Sequence, residues 1–246
     1  MPARAVSFDF GETLATLDER CLCEKLAGLG VAVQGDRILA ALASAWDTYQ
    51  KPAQSGSADT GGGLHPWKPL MAELLAQSGT SHPERHGELV DWLFEDQRRT
   101  NLWRKPIPGM IELVRELRAR AVPVAILSNS EGYLVELIEQ LGWTRDLTIV
   151  IDSGCVGTAK PDPAIFRRTA DALGVPLDAM LHVGDSLRAD VHGARNAGAR
   201  ALWFTTPPAH PVRRPPPAPD VLVCTNANEA RDAIWTALAL SDRGLP

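Results

Sequence analysis

From Pro106 to Phe204 the chain alternates amphipathic helical stretches with short apolar runs, and most of those runs end in small polar residues. Met110, Leu113, Val114 and Leu117 share one helical face; Val122 to Leu127 form an apolar run that opens into Ser128-Asn129-Ser130. Leu134, Leu137, Ile138 and Leu141 repeat the helical spacing, with Gly142 placed to end it, and Leu147 to Ile151 give the next run. Asp162 and Pro163 have the chemistry of an N-cap and a first helical residue. Ala179 to Val183 run into Gly184-Asp185-Ser186, a helix carrying Leu187, Val191 and Ala194 follows to Gly198, and Ala199 to Phe204 close the series. Strands alternating with helices of this length predict an α/β fold: a doubly wound parallel sheet joined by right-handed crossovers.

One more strand precedes this series. Val6-Ser7-Phe8 is an apolar run that gives way to Asp9-Phe10-Gly11-Glu12-Thr13-Leu14. From residue 17 to 105 the period is helical throughout. Leu22, Leu26 and Leu29 mark one helix; Leu39, Leu42, Trp46 and Tyr49 a second; Leu70, Met71, Leu74 and Leu75 a third; Leu89, Val90, Leu93, Phe94 and Gln97 a fourth. A four-helix insert, 17–105, therefore interrupts an α/β domain made of 1–16 and 106–246. The Gly- and Ser-rich stretch 52–63 reads as a flexible linker or a loop that moves over a site. Pro207 to Pro219 form an extended connector, Asp220 to Cys224 an edge strand, and Asn226 with Glu229 the start of a last helix.

A chain of 246 residues, 45% hydrophobic and 22% charged, is long enough to bury a substantial core. A formal charge of −5 and a pI near 5.7 provide no global attraction for nucleic acid or anionic membrane. No apolar run approaches a membrane span, and the stretch before the first strand is too short for a signal peptide, so a cytoplasmic location is expected. Cys21, Cys23, Cys155 and Cys224 offer a single Cys-x-Cys pair without a matching second pair. They are read as buried or half-buried thiols rather than zinc ligands.

The polar residues at the strand ends carry the functional signal. Asp9, Ser128, Asn129 and Asp185 follow strands, Lys160 precedes a helix, and Asp190 lies five residues after Asp185. In an open α/β sheet, ligands bind beyond the carboxyl ends of the strands. Carboxylates converging there would repel one another unless a cation lay between them; a hydroxyl, an amide and an ammonium nearby would hold an anion against that cation. Taken singly, each has a plain alternative: a turn residue, a solvated lysine or a helix cap.

Four segments in order, Asp9-Phe10-Gly11-Glu12-Thr13-Leu14, Ile126-Leu127-Ser128-Asn129, Lys160-Pro161-Asp162 and Gly184-Asp185-Ser186-Leu187-Arg188-Ala189-Asp190, resemble the motifs of the haloacid dehalogenase superfamily of hydrolases. The resemblance spans essentially the whole chain. It implies a Rossmann-like core with a type 1 helical cap inserted after the first motif. It also implies a Mg²⁺-dependent phosphatase of a small phosphorylated metabolite. Asp9 would be the nucleophile that forms an aspartyl-phosphate. Asp9, the Gly11 main-chain carbonyl, Asp185 and Asp190 would hold the metal, and Ser128, the Asn129 region and Lys160 the phosphoryl oxygens. A hard cation with oxygen ligands, together with a lysine, suits the charge of a transferring phosphoryl group.

The departure from the family pattern is Gly11, where phosphatases of this family usually carry a second Asp as general acid. Metal binding through a backbone carbonyl survives a glycine; proton delivery does not, and such help is typically worth about 10²- to 10⁴-fold. Glu12 or a cap residue such as His65 are candidate substitutes. A substrate with a good leaving group, an acyl or sugar-1-phosphate, fits the loss. Two other readings stand: a weak or inactive relative that binds a ligand or protein through its cap, and a metal-independent haloacid dehalogenase, for which the Asp185 and Asp190 pair has no purpose. Trp46, Tyr49, Trp67, Trp92 and Trp103 either line a pocket or, as their helical spacing favours, pack the cap's own core. Oligomeric state is left open.

Overall fold

The computed structural model describes residues 2–50, 67–205 and 221–240. Strand β1 (Ala5–Phe8) is followed by a tight loop and a two-residue strand β2 (Ala15–Thr16), and then by helices α1 (Glu19–Gly28), α2 (Gly35–Gln50), α3 (Trp67–Ser78) and α4 (His86–Asp96). A second two-residue strand, β3 (Lys105–Pro106), pairs antiparallel with β2, Ala15 opposite Pro106 and Thr16 opposite Lys105. The chain thus leaves for the helical insert and returns from it at one point. Next come α5 (Met110–Ala119), β4 (Val124–Ser128), α6 (Leu134–Gln140), β5 (Ile149–Asp152), the short α7 (Ser153–Val156) and α8 (Pro163–Leu173). Then follow β6 (Met180–Gly184), a π-helical turn at Leu187–His192, α9 (Gly193–Ala197), β7 (Arg200–Phe204), β8 (Leu222–Cys224) and α10 (Ala227–Leu238).

Six strands form one parallel sheet in the order β5-β4-β1-β6-β7-β8. β1 lies between β4 and β6, so both its edges are paired, and with a core cluster on each face all four of its residues are buried. The pleat sorts the side chains. Val6, Phe8, Val124, Ile126, Leu181 and Val183 face the core shared with α5, α6, α10 and the inserted helices. Ala5, Ala125, Leu127, Ile151 and Met180 face α8 and α9. The sheet is doubly wound as expected, with the insert near its N-terminus.

The caps follow the sequence chemistry. The Asp162 carboxylate accepts from the Ala164 N–H at 2.8 Å with Pro163 as first helical residue, and the Asn226 side chain accepts from the Glu229 N–H at 3.1 Å. Four expectations change. Leu39 is exposed; α2 instead buries Ile38, Ala41, Leu42 and Ala45, because the helix is rotated from the leucine spacing towards its smaller residues. Cys155 is exposed, as it sits on the one-turn helix α7 at the sheet's edge, whereas Cys21 and Cys23 are half-buried and Cys224 buried; all four are free thiols. The strand expected from Leu147 begins at Ile149, and the helix after Asp185 opens with the π-helical turn. The linker 52–63, His65 and the connector Pro207–Pro219 lie outside the described residues, as does the Tyr49 side chain. Among the described residues, no helix is long and apolar enough to cross a membrane.

Candidate active site

The sheet's register delivers the polar residues to one edge. β1, β4 and β6 are parallel neighbours, so their carboxyl ends open together, and Asp9, Ser128 and Asp185 stand at those ends. Asp9 is fixed by its own N–H, which donates to the Val183 carbonyl at 2.8 Å. One cleft is lined by Asp9, Gly11, Ser128, Asn129, Lys160, Asp185 and Asp190, joined by Trp46 from the insert. The residues read from the sequence as nucleophile, metal ligands and phosphoryl-binding groups therefore lie in one place. Ligand atoms of Asp9, Asp185 and Asp190 all come within 4.8 Å of one another, and all three residues are buried.

Lys160 bridges two of these carboxylates, donating to Asp9 Oδ1 at 2.7 Å and Asp190 Oδ1 at 2.6 Å. Burial alone would lower its pKa, yet Asp190 and Asp9 lift it above the ordinary lysine value. Asp190 is pulled the other way. Burial would raise it, but the Lys160 ammonium and the His182 hydrogen bond hold it well below the usual carboxylate range. Asp9 rises to about 7: burial raises it more than Lys160 lowers it, and Asp190 and Asp185 push it further. Three carboxylates clustered around one ammonium crowd like charges together. A divalent cation would offset that crowding and hold Asp9 ionised, and the all-oxygen donor set suits a hard ion.

Asn129 does something the sequence did not reveal. Its amide pairs with the Lys160 main chain, Nδ2 donating to the Lys160 carbonyl at 2.9 Å and Oδ1 accepting from the Lys160 N–H at 2.8 Å. The loop after β4 is thereby tied to the loop that carries the lysine. Asp152, at the end of β5, fastens the same loop from beneath: its carboxylate accepts from the N–H groups of Gly132, Leu134 and Gly154 at 3.1, 3.0 and 2.9 Å. Trp203 Nε1 donates to the Asp185 carbonyl at 2.7 Å.

Sequence reasoning also missed Ser7 and His182, which sit opposite each other in the β1–β6 register. His182 Nε2 lies 3.0 Å from Asp190 Oδ1, and its Nδ1 lies 2.8 Å from Ser7 Oγ. The Asp190 carboxylate can only accept, so Nε2 carries the proton and Nδ1 accepts from the Ser7 hydroxyl. Burial lowers the imidazole's pKa and keeps it neutral. With the Ser186 N–H on Asp190 Oδ2 at 2.8 Å, both oxygens of Asp190 are engaged. The available signal was a polar residue inside each of two apolar strands, Val6-Ser7-Phe8 and Leu181-His182-Val183.

Glu12 does not line the cleft. It adopts φ of 54°, is buried, and accepts from Thr16 Oγ1 at 2.7 Å. Burial raises its carboxyl to about 7. Of the tryptophans, Trp46, Trp67 and Trp103 line a second cavity adjoining the cleft, and Trp92 lies on a separate surface groove beside Lys25. The same three also pack edge to face with one another and with Phe94, so lining a pocket and packing a core are here one role.

Comparison with known proteins agrees with this geometry. The family description "haloacid dehalogenase-like hydrolase" matches residues 3–198. The chain is 34% identical over 164 residues to a phosphoserine phosphatase of Thermus thermophilus, a match covering 66% of this chain and 63% of that protein, so the chain spans under two thirds of that relative's length. Among solved structures, it is similar to a HAD family hydrolase from Deinococcus radiodurans with bound phosphate and sodium: TM-score 0.63, 25% identity, 98% of both chains. It also shares the fold of the putative HAD-hydrolase YfnB from Bacillus subtilis, which is bound to magnesium: TM-score 0.68, 18% identity, 98% of this chain and 100% of that one.

Proposed function

Because the chain belongs to the haloacid dehalogenase-like hydrolase family, we propose that it is a Mg²⁺-dependent phosphatase of a small phosphorylated metabolite, with Asp9 as nucleophile. The observation that carries this reading is the buried cluster of Asp9, Asp185 and Asp190, whose ligand atoms lie within 4.8 Å of one another, with Lys160 bonded to two of them. The chain would divide into a core of 1–16 and 106–246 and a cap of 17–105.

Asp9, the Gly11 carbonyl and Asp185 would hold Mg²⁺, and Asp190, both of whose oxygens are already engaged, would position Lys160 and support the metal site from behind. Bound there, the ion supplies positive charge against the phosphoryl oxygens. The Asp9 carboxylate attacks phosphorus, the bond to the leaving oxygen breaks, and an aspartyl-phosphate remains on Asp9. Water then displaces phosphate and restores the carboxylate. Ser128 through its hydroxyl, Asn129 through its main-chain N–H and Lys160 through its ammonium would hold the phosphoryl oxygens during both steps. The Asn129 side chain serves instead to fix Lys160. The phosphoserine phosphatase among the relatives supports a phosphate ester as substrate.

The test is hydrolysis of a panel of phosphate esters and acyl phosphates, with and without Mg²⁺, by the wild type, Asp9→Asn and Gly11→Asp. Expected are Mg²⁺-dependent turnover, its loss in Asp9→Asn, and a gain for alkyl phosphates in Gly11→Asp. A Cβ at Gly11 meets Trp103 only in ordinary contact, at 3.7 Å, so the first carbon of the new side chain meets no clash. Full activity in Asp9→Asn would refute the assignment.

A further inference from the structure

The cavity beside the cleft opens to solvent and shares Gly11, Trp46, Ser128 and Asn129 with the cleft. A phosphoryl group attacked by Asp9 would therefore project its leaving group into this cavity. Its apolar walls come from both sides: Trp46, Trp67, Leu70 and Trp103 from the insert, Phe10 and Leu134 from the sheet side. Arg98 of the insert donates to the Tyr133 hydroxyl at 2.9 Å and stacks on its ring at 4.5 Å, tying the insert to the loop after β4 at the cavity wall.

Three side-chain donors on the cavity's wall, Trp67 Nε1, Trp103 Nε1 and Ser130 Oγ, have no partner among the described residues. Trp103 Nε1 and Trp67 Nε1 are fully buried and make no hydrogen bond, and these residues are only 8% and 4% exposed. A buried donor left unpaired is destabilising, so a bound acceptor recovers that cost. Trp103 Nε1 lies 3.9 Å from where a Cβ on residue 11 would stand. A donor thus occupies the neighbourhood in which an acidic side chain at position 11 would reach the leaving oxygen. An indole N–H donates a hydrogen bond but does not give up its proton. Among the described residues, no lysine, arginine or histidine lines the cavity, and the carboxyl of Glu131 on its wall is raised to about 7 by burial. The described lining therefore offers no cationic side chain for a second anionic group on the leaving group.

We propose that this cavity takes a planar aromatic leaving group that departs as its anion, so that the substrate is an aryl or aromatic acyl phosphate, with Trp103 Nε1 hydrogen-bonding the leaving oxygen. The proposal rests on the phosphatase reading above. In the first step Asp9 bonds to phosphorus and the phenolate or carboxylate departs with the electron pair of the broken P–O bond. The indole keeps its proton. In the second, water adds to phosphorus, Asp9 leaves as carboxylate, and the water's proton departs with phosphate into solvent. No step requires an acid at position 11.

The test compares kcat/KM with Mg²⁺ for substituted phenyl phosphates, benzoyl phosphate and acetyl phosphate against phosphoserine and phosphoglycolate. Expected is at least a roughly 100-fold preference for the aromatic substrates, with rates falling as the leaving group becomes more basic. Trp103→Phe should lose about tenfold or more on phenyl phosphates and steepen that dependence, which a packing defect would not do. Benzoyl against phenyl phosphate separates the two aromatic sources. Saturable quenching of tryptophan fluorescence by phenylphosphonate, weakened in Trp103→Phe, tests the cavity without turnover. Phosphoserine or phosphoglycolate hydrolysed as well as the aryl esters would overturn this inference and leave the phosphatase reading standing. Saturable phenylphosphonate binding with no Asp9-dependent hydrolysis of any ester would overturn the phosphatase reading while the cavity's preference held. Absence of quenching would overturn the inference whatever the turnover.

Discussion

Gly184→Ala should disable the site by a single methyl group. A Cβ built on Gly184 would stand 2.3 Å from Asp190 Cγ, 2.5 Å from its Oδ2 and 2.6 Å from its Cβ, where carbon atoms normally approach to about 3.5–4.0 Å. Neither partner can yield easily. Gly184 ends a strand held between β1 and β7, and Asp190 is 1% exposed with bonds to Lys160 at 2.6 Å, the Ser186 N–H at 2.8 Å and His182 at 3.0 Å. Overpacking alone is worth about 1–3 kcal/mol. If Asp190 swings away instead, Lys160 loses one of its two carboxylates, and breaking a buried ion pair costs about 3–5 kcal/mol. The two penalties are alternatives rather than additive, so a loss near 3 kcal/mol is expected, or roughly 6–12 °C in Tm for a chain of this size. Displacing Lys160 by about 1 Å should also lower kcat/KM by about 100-fold. Urea unfolding followed by circular dichroism measures the first effect, and initial rates with Mg²⁺ the second. Gly87→Ala is the control: it lies in helix α4 with nothing within 4 Å of the added Cβ, and should stabilise by about 0.5–1 kcal/mol. A Gly184→Ala protein within 1 kcal/mol of wild type and fully active would refute the packing argument.

Glu12→Gln should change how stability depends on pH. The folded carboxyl sits near 7 against an ordinary 4.5, so the folded state holds the proton more tightly; stability is greatest below 4.5, falls as pH rises towards 7, and stays reduced above it. The rise corresponds to at most about 3 kcal/mol, which the glutamine variant would regain at pH 8 while matching wild type near pH 4 in metal-free protein. Equal wild-type and variant unfolding curves at pH 8 would contradict this. Asp152→Ala removes the acceptor for three main-chain N–H groups, each such bond to a charged group being worth about 1.5–3 kcal/mol. A loss of at least about 3 kcal/mol and a fall in kcat are expected, because the same loop carries Asn129 and, through it, Lys160. An unchanged kcat with lowered stability would show that the loop holds its catalytic geometry without Asp152.

Much of this architecture was legible because it is periodic. Two-residue alternation and 3.6-residue spacing are properties of the local chain, so the strands, the helices and the interruption by four helices could all be read one residue after another. So could the strand-end residues Asp9, Ser128 and Asp185, since a parallel sheet puts its carboxyl ends on one edge whatever the loops do. Contacts set by register or rotation were not legible. Ser7 and His182 are 175 positions apart and meet only because β1 and β6 pair in one register. Leu39 faces solvent because the rotation of α2 depends on what it packs against.

Thus the order of residues alone determined the α/β class, the place of the insert and the glycine at position 11. Tertiary structure decided what stands beside that glycine. Trp103 lies more than ninety positions along the chain, and only the folding of the insert over the sheet brings its N–H beside Gly11. Spacing along a chain specifies which face a side chain occupies, whereas an unpaired donor is a property of the enclosed space around it.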